Sequence, residues 1–253
     1  MTDSALEQLV AMSHVLGDPA LDYAILGEGN SSARADAETF WVKASGAHMR
    51  SLETANLVRL RFDRILSMLE CDQMSDTEIR KGLEAAKVDP EGKAAPSVET
   101  FLHAMMLELD GVNFVGHTHP ATVNAILCSQ NAAEAVSRPL FPDQIVYCGP
   151  APVFVPYTDP GLPLARAVRQ GIEEFGEAWG QPPKVVMMQN HGLIALGGTA
   201  AEVENITAMA VKAARVLLGA YSMGGPHFLS QEQAERIRTR PDEHYRKRIW
   251  GSR

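Results

Sequence analysis

Hydrophobic positions recur with a helical period in parts of the chain. Over residues 97–109 the apolar side chains fall at i, i+3, i+4, i+7, i+8 and i+11, which predicts a helix with one face on a core. A second helix is predicted to start at Thr199, which has a glutamate three residues later, and to end at the Gly-Gly-Pro of 224–226. Ser75 also precedes a glutamate by three residues, which predicts a shorter helix there.

Shorter apolar segments bounded by turn residues predict strands. These segments are 31–34, 39–43, 57–62, 112–118, 152–155, 184–188 and 193–196. The first two are expected to form a hairpin. Because helices and strands interleave while short turns join some of the strands, the pattern predicts an α/β fold with a mixed, largely antiparallel sheet between helices. Without a convincing linker, we expect a single domain over residues 1–253.

Composition and charge narrow the class of protein. The 23 basic and 31 acidic residues give a net charge of −8 with no basic tract, which argues against a nucleic-acid partner. No apolar run approaches the roughly 18 residues of a membrane span, and the first residues do not resemble a signal peptide. The cysteines Cys71, Cys128 and Cys148 show no metal-binding spacing. We therefore expect a cytoplasmic protein without a membrane partner.

Three histidines stand where predicted strands end. His117 and His119 form a His-x-His pair, and side chains two apart on a strand point to one face. His191 follows a different apolar strand. Three neutral imidazoles suit zinc and related divalent ions and leave positions open for a substrate. The pattern alone also permits a second interpretation, in which these histidines make only surface hydrogen bonds.

Glu99 lies in the first turn of the helix predicted over 97–109. A carboxylate at that place is favoured by the helix dipole, so its role could be electrostatic capping. The alternative is a general acid/base beside a metal ion. The helix signal does not decide between the two roles.

The glycine-rich segment 26–32 is similar to a dinucleotide-binding fingerprint but lacks its third glycine, because Ser32 stands there, and a strand follows. An oxidoreductase hypothesis would rest only on this incomplete match. Several nearby residues are of the types that hold a phosphate through amide, hydroxyl and backbone N–H groups. They are Asn30, Ser45, Gly46 and Ser97, with Lys43 as a source of positive charge.

Taken in order, these segments resemble the class II aldolase/adducin family. The matching segments are 29–34, 43–46, 96–99, 117–120 and 190–195. The resemblance implies a three-layer αβα fold with a central mixed sheet, and a homotetramer with sites at subunit interfaces.

The resemblance also implies roles for individual residues. His117, His119 and His191 would be the metal ligands, and Glu99 the acid/base. Asn30, Ser45, Gly46 and Ser97 would hold the substrate's phosphate or its equivalent, with Lys43 beside them. Tyr245 would be the C-terminal tyrosine that reaches a neighbouring subunit's site as a second catalytic group.

The function implied is a divalent-metal-dependent lyase of the aldolase type, with Zn²⁺, or Mn²⁺ or Co²⁺, stabilising an enediolate of a small hydroxy-carbonyl substrate. Val98 stands where sugar-phosphate aldolases often have a second serine, which leaves the phosphorylation of the substrate open. Epimerisation, dehydration and decarboxylation are alternatives at the same site. A non-catalytic, adducin-like assembly module is the alternative from another functional class.

Overall fold

The computed structural model of the protein describes residues 2–240. The strands of this part of the chain are β1 Asn30–Arg34, β2 Thr39–Lys43, β3 Leu57–Arg61, β4 Phe114–Thr118, β5 Val153–Val155, β6 Val185–Met188 and β7 Gly192–Gly197. The α-helices are α1 Thr2–Leu16, α2 Phe62–Leu69, α3 Asp76–Ala85, α4 Thr100–Leu107, α5 Ala121–Leu127, α6 Ala132–Val136, α7 Pro142–Cys148, α8 Leu162–Trp179, α9 Ala200–Ser222 and α10 Gln231–Arg238. Within the same range, no helix is long and apolar enough to cross a membrane.

The strands form one seven-stranded sheet in the order β3-β2-β1-β4-β7-β6-β5. Strands β5 and β6 pair in parallel, and the other neighbours pair antiparallel. The predicted hairpin is confirmed as β1 and β2, and the prediction of a mixed, largely antiparallel sheet is also confirmed. The centre of the sheet is β4, which pairs with β1 on one side and with β7 on the other.

Helices cover both faces of the sheet, which gives the three layers. Residues alternate between the faces: Val115 belongs to the core under α2, α3, α4 and α8, whereas its neighbour Phe114 belongs to the core under α1, α5 and α9. Both cores are built from fully buried aliphatic and aromatic side chains, such as Phe101 on α4 and Met12 on α1. Burying apolar surface on both faces is the main stabilising contribution to such an architecture.

Two predicted helix starts are confirmed by their caps. Ser75 Oγ accepts a hydrogen bond from Glu78 N at 3.3 Å, and the Glu78 carboxylate accepts one from Ser75 N at 2.8 Å. Thr199 Oγ1 likewise accepts from Glu202 N at 3.1 Å. Each pair satisfies backbone N–H groups that have no partner inside the helix.

The helix predicted over 97–109 is shorter at both ends, because it runs from Thr100 to Leu107. Residues 97–99 form a turn in which Thr100 N donates to Ser97 O at 3.1 Å. Glu99 occupies the N-cap position, but its side chain makes no capping hydrogen bond. Its carboxylate points instead toward residues of the sheet.

Gly116, in the middle of β4, allows α1 and α9 to approach the sheet closely. A Cβ at this position would lie 2.7 Å from Leu16 Cδ1 on α1 and 2.7 Å from Val203 Cγ1 on α9. We therefore expect Gly116→Ala to lower the free energy of unfolding by about 1–3 kcal/mol, measured by urea denaturation. Gly176→Ala on α8 is the control, since a Cβ there meets none of the described residues within 4 Å and the substitution should raise helix stability by up to about 1 kcal/mol. Equal effects of the two substitutions would contradict this account of β4.

Candidate metal centre

The three histidines predicted to bind a metal converge at one end of the sheet. His117 is on β4, His119 follows it, and His191 lies in the turn between β6 and β7. Because β4 pairs with β7 in the register His117↔Ile194, the β6–β7 turn comes to lie beside the end of β4. His117 Nε2 lies 2.9 Å from His119 Nε2 and 3.3 Å from His191 Nε2. The possible ligand atoms of the three side chains all lie within 4.8 Å of one another.

These separations fit a divalent metal ion. A tetrahedral Zn²⁺ with Zn–N bonds of 2.0–2.1 Å places its ligand nitrogens about 3.4 Å apart. The orientation of His117 also fits, because its Nδ1–H donates to the Leu193 carbonyl at 2.9 Å. That hydrogen bond leaves the lone pair of Nε2 free for an ion, and a second partner of this kind is typical of metal-binding histidines.

The turn that carries His191 has a specific backbone shape. Asn190 adopts a left-handed conformation with φ 56°, and His191 N donates to Met188 O at 3.2 Å across the turn. Asn124 Nδ2 on α5 donates to the His191 carbonyl at 3.0 Å. Gly192 is required at the next position, since a Cβ there would lie 2.6 Å from His119 Cδ2. The absence of a side chain on Gly192 therefore lets this turn pack directly against His119.

Glu99 is the carboxylate of this centre. Its Oε1 lies 3.1 Å from His191 Nε2 and 3.6 Å from His117 Nε2, and its Oε2 accepts a hydrogen bond from the Asn30 amide. Burial opposes ionisation of Glu99, but the imidazoles of His117 and His191 outweigh burial and hold the pKa of its carboxyl well below the usual range. The carboxylate of Glu99 therefore makes no capping hydrogen bond and lies beside two of the predicted metal ligands.

His119 is held by a residue that the sequence analysis did not single out. Glu28 Oε2 lies 3.3 Å from His119 Nδ1, and His119 N donates to the carbonyl of Tyr23 at 2.8 Å. Burial, reinforced by repulsion from His117 and His191, lowers the pKa of His119 to about 3, so the ring is neutral and able to bind a cation. The sequence signal for Glu28 was a carboxylate between two glycines before a strand.

The residues predicted to hold a substrate anion lie on three neighbouring segments. Lys43 is buried, and its Nζ donates to Ala47 O at 2.7 Å and to Gly27 O at 3.5 Å, which ties the segment after β2 to the glycine-rich segment. Ser45 N donates to Ala95 O at 2.8 Å, which ties it to the segment before Glu99. The ammonium of Lys43 thus contacts backbone carbonyls. Its positive charge lies buried beneath these segments.

The other predicted binding residues differ in their surroundings. Ser45 and Gly46 are exposed, and Gly46 has φ 76°. Ser97 Oγ is buried and has no hydrogen-bond partner among residues 2–240, which is unusual for a native hydroxyl and leaves it able to bind a ligand. Asn30 is buried against Glu99. Tyr245 lies outside the described residues.

Comparison with known proteins identifies the family. The sequence profile of the family described as "Class II Aldolase and Adducin N-terminal domain" matches residues 7–218. The chain belongs to the class II aldolase/adducin family. Among solved structures, an N-terminal class II aldolase domain from Thermoplasma acidophilum is similar with a TM-score of 0.67 and 25% identity, covering 86% of this chain and 95% of that one.

Other relatives agree on the fold. An L-fuculose 1-phosphate aldolase has a TM-score of 0.71 at 16% identity, covering 94% of this chain and 96% of its own. The protein YgbL of Klebsiella pneumoniae, described as a putative aldolase/epimerase/decarboxylase, has a TM-score of 0.70 at 20% identity. The match covers 94% of this chain and 100% of the YgbL chain. A curated relative, the "Uncharacterized oxidoreductase YuxG" of Bacillus subtilis, is 28% identical over 204 residues, which are 77% of this chain but 27% of that protein.

For this class II aldolase/adducin protein we expect that each of His117→Ala, His119→Ala and His191→Ala will lower the bound zinc measured by elemental analysis after reconstitution. Each substitution removes one of three ligands that converge on one point. His227→Ala, which changes an exposed histidine outside the centre, should keep the wild-type stoichiometry. Unchanged zinc content in any of the three variants would contradict the three-histidine centre.

We further expect Glu28→Ala to weaken zinc binding by about 10- to 100-fold, measured by competition with a chelator, because the ring of His119 loses the carboxylate beside its Nδ1. Glu28→Gln retains an oxygen that can accept a hydrogen bond, so its effect should be smaller. Glu91→Gln, at an exposed site, is the control for loss of one negative charge. An affinity in Glu28→Ala equal to that of this control would show that Glu28 does not support His119.

Proposed function

We propose that the protein is a divalent-metal-dependent lyase of the aldolase type. It would cleave or form a C–C bond next to a carbonyl in a sugar phosphate, a sugar acid or a related hydroxy-carbonyl compound. The observation that carries the proposal is the position of Glu99. One of its carboxylate oxygens lies 3.1 and 3.6 Å from two imidazoles of the histidine centre, and the other is anchored by Asn30.

The metal of this proposal is Zn²⁺, with Mn²⁺ or Co²⁺ as alternatives, held by His117, His119 and His191. Three nitrogen ligands suit these ions better than Mg²⁺ or Ca²⁺, which prefer oxygen. When bound, such an ion supplies positive charge that stabilises the negative charge developing on a substrate's carbonyl oxygen. Three protein ligands leave positions at which the substrate can enter.

Glu99 would move the proton at the substrate carbon next to the carbonyl. Its pKa is held low by His117 and His191, and a bound cation would replace their positive charge, so Glu99 is ionised at neutral pH and begins as a proton acceptor. Its partial burial keeps bulk water from competing for that proton. Asn30, by donating to the other carboxylate oxygen, limits the directions in which Glu99 can turn.

The substrate's anionic group would be held by Asn30, Ser45, Gly46 and Ser97, with the charge of Lys43 behind them. The buried hydroxyl of Ser97, which has no partner within the described residues, supports this placement. Val98 offers no second hydroxyl, so a carboxylate or a phosphate with fewer contacts would suit the site. Burial lowers the pKa of Lys43, and the negative charge of Glu99 opposes that shift. The Lys43 ammonium is therefore close enough to Glu99 to interact with it electrostatically.

The remaining parts of the proposal follow from family membership. We propose a cytoplasmic homotetramer in which Tyr245 of one subunit serves a neighbour's site as the second acid/base. Epimerisation, dehydration and decarboxylation would use the same metal and the same carboxylate. The non-catalytic assembly module is disfavoured, because three converged histidines and a buried carboxylate are costly to keep together without a ligand.

The test is proton exchange in D₂O, followed by ¹H NMR, for a panel of donors: dihydroxyacetone, its phosphate, pyruvate and glycolaldehyde. The zinc-loaded protein should exchange the C–H next to the carbonyl of at least one donor, and chelation should stop the exchange. Glu99→Gln should slow exchange by about 100-fold or more, the range expected when a general base is removed.

The control is Glu108→Gln, a carboxylate that forms an ion pair with Arg34 elsewhere on the molecule. The Glu108→Gln variant should exchange the C–H next to the donor's carbonyl at the wild-type rate. Absence of exchange with every donor in the metal-loaded protein, or an unchanged rate in Glu99→Gln, would overturn the proposed function.

A further inference from the structure

A chain of hydrogen bonds leads from the sheet to Glu99 through His103, a residue with no assigned role. Ser32 Oγ on β1 lies 2.7 Å from His103 Nδ1 on α4. His103 Nε2 is hydrogen-bonded to Asn30 Oδ1, and Asn30 Nδ2 donates to Glu99 Oε2. His103 is 1% exposed and Asn30 is 4% exposed, so the chain is shielded from water.

The donors and acceptors along this series of hydrogen bonds permit only one assignment of its protons. An ionised Glu99 only accepts, so the Asn30 amide must present its NH₂ group to the carboxylate and its carbonyl oxygen to His103. His103 must then carry its proton on Nε2 and donate it to Asn30 Oδ1. Its Nδ1 is left as an acceptor, and Ser32 must donate its hydroxyl proton. Each step depends on the one before it, so the tautomer of His103 and the orientation of Asn30 are coupled.

The surroundings of His103 favour the neutral ring that this arrangement needs. Burial lowers the pKa of His103 to about 3, and the nearby charges of His117 and Lys43 act in the same direction against the opposing effect of Glu99. The ring is therefore uncharged over the range in which the protein would work. A neutral imidazole has one donor and one acceptor, which matches the two partners present.

We propose that His103 is the positioning residue of the centre: by donating from Nε2 it fixes the Asn30 amide, which in turn aims the carboxylate of Glu99 at the reacting carbon. This inference deepens the proposed function and rests on it for the role of Glu99. If the hydrogen bond from His103 were lost, the Asn30 amide could rotate and present its oxygen to the carboxylate. That contact is repulsive, and Glu99 would turn away.

This arrangement leaves Asn30 able to serve a ligand as well. Its amide has two N–H groups, and Glu99 takes one of them. The second is available for the anionic group of a substrate. Asn30 would then link substrate binding to the orientation of Glu99, with His103 holding both.

The first experiment needs no substrate and tests the geometry alone. Two-bond ¹H–¹⁵N correlation spectra of histidine-labelled wild-type protein report the protonation of each ring nitrogen, and the signal missing in His103→Gln assigns His103. We expect a neutral ring with the proton on Nε2 between pH 6 and 8. A proton on Nδ1, or a charged ring, would overturn the proposal even if the lyase activity is confirmed.

The second experiment measures kcat and KM for C–H exchange with the donor that the wild-type zinc enzyme accepts. His103→Leu removes the donor, and we expect its kcat to fall by about 10- to 100-fold. The zinc content should change little, and the KM should rise only for donors with an anionic group, because Asn30 also serves that group. His103→Gln, whose amide N–H can replace Nε2–H, should recover most of the rate. Equal rates in the Leu and Gln variants would show that His103 only fills space.

Two adjacent serines of β1 supply a matched control. Ser31 and Ser32 are both fully buried but face opposite sides of the sheet: Ser31 Oγ pairs with Ser13 Oγ at 2.6 Å, whereas Ser32 Oγ pairs with His103. Ser32→Ala should slow exchange by about fivefold, the value of one hydrogen bond. Ser31→Ala should lose comparable stability without a change in rate. Equal exchange rates in the two variants would show that the hydrogen bond from Ser32 to His103 does not affect Glu99.

The outcomes separate this inference from the proposed function. If Glu99→Gln abolishes exchange while His103→Leu matches the wild type, the lyase proposal stands and the positioning role of His103 is wrong. If no donor exchanges in the wild-type enzyme, the proposed function fails, and the tautomer of His103 decides whether the hydrogen-bond chain exists. Should His103→Leu fail to fold, the spectra of the wild type and the serine pair still give the decision.

Discussion

The antiparallel pairing of β4 with β7 is the constraint on which the candidate centre depends. It places the end of β4, with His117 and His119, beside the turn that carries His191. A shift of this register by one residue would move His117 to the other face of the sheet. Gly116 and Gly192 support the arrangement from both sides, since a side chain at either would displace a helix or an imidazole. The convergence of the three histidines is therefore a consequence of how the middle of the sheet is packed.

Several polar side chains are buried between α4 and the sheet. Asn30, Ser32, His103 and His117 are each less than 5% exposed, yet all of them have hydrogen-bond partners. Removing such groups from water is costly unless they are paired, so each restricts the orientation of the next. The result is a carboxylate, Glu99, that is held in place before any ligand arrives. Preorganisation of this kind is how a site limits the cost of reorganisation during a reaction.

Several elements of the fold were predictable, because the local sequence patterns that favour them agree with the tertiary structure. Segments 31–34 and 39–43 were predicted as a hairpin and form one, and the capping pairs at Ser75 and Thr199 begin helices as expected. Only the helices that became α3, α4 and α9 were predicted, so α1, α2, α5, α6, α7, α8 and α10 were missed. For α5, α6 and α7 the reason is that elements of five to seven residues show too little periodicity and depend on packing for their stability. The start of α4 was placed too early, because residues 97–99 form a turn that Thr100 N closes by donating to Ser97 O.

The sequence by itself determined the chemistry that is available: a His-x-His pair, a third histidine after another strand, and a carboxylate at a helix start. Those residue types, in that order, also carried the resemblance to the family whose profile matches residues 7–218. Only the tertiary structure decided that Glu28 supports His119 and that His103 lies between Ser32 and Asn30. These contacts join residues that are tens of positions apart. Strand pairing and helix packing bring them together, and no local period of the sequence encodes such distances.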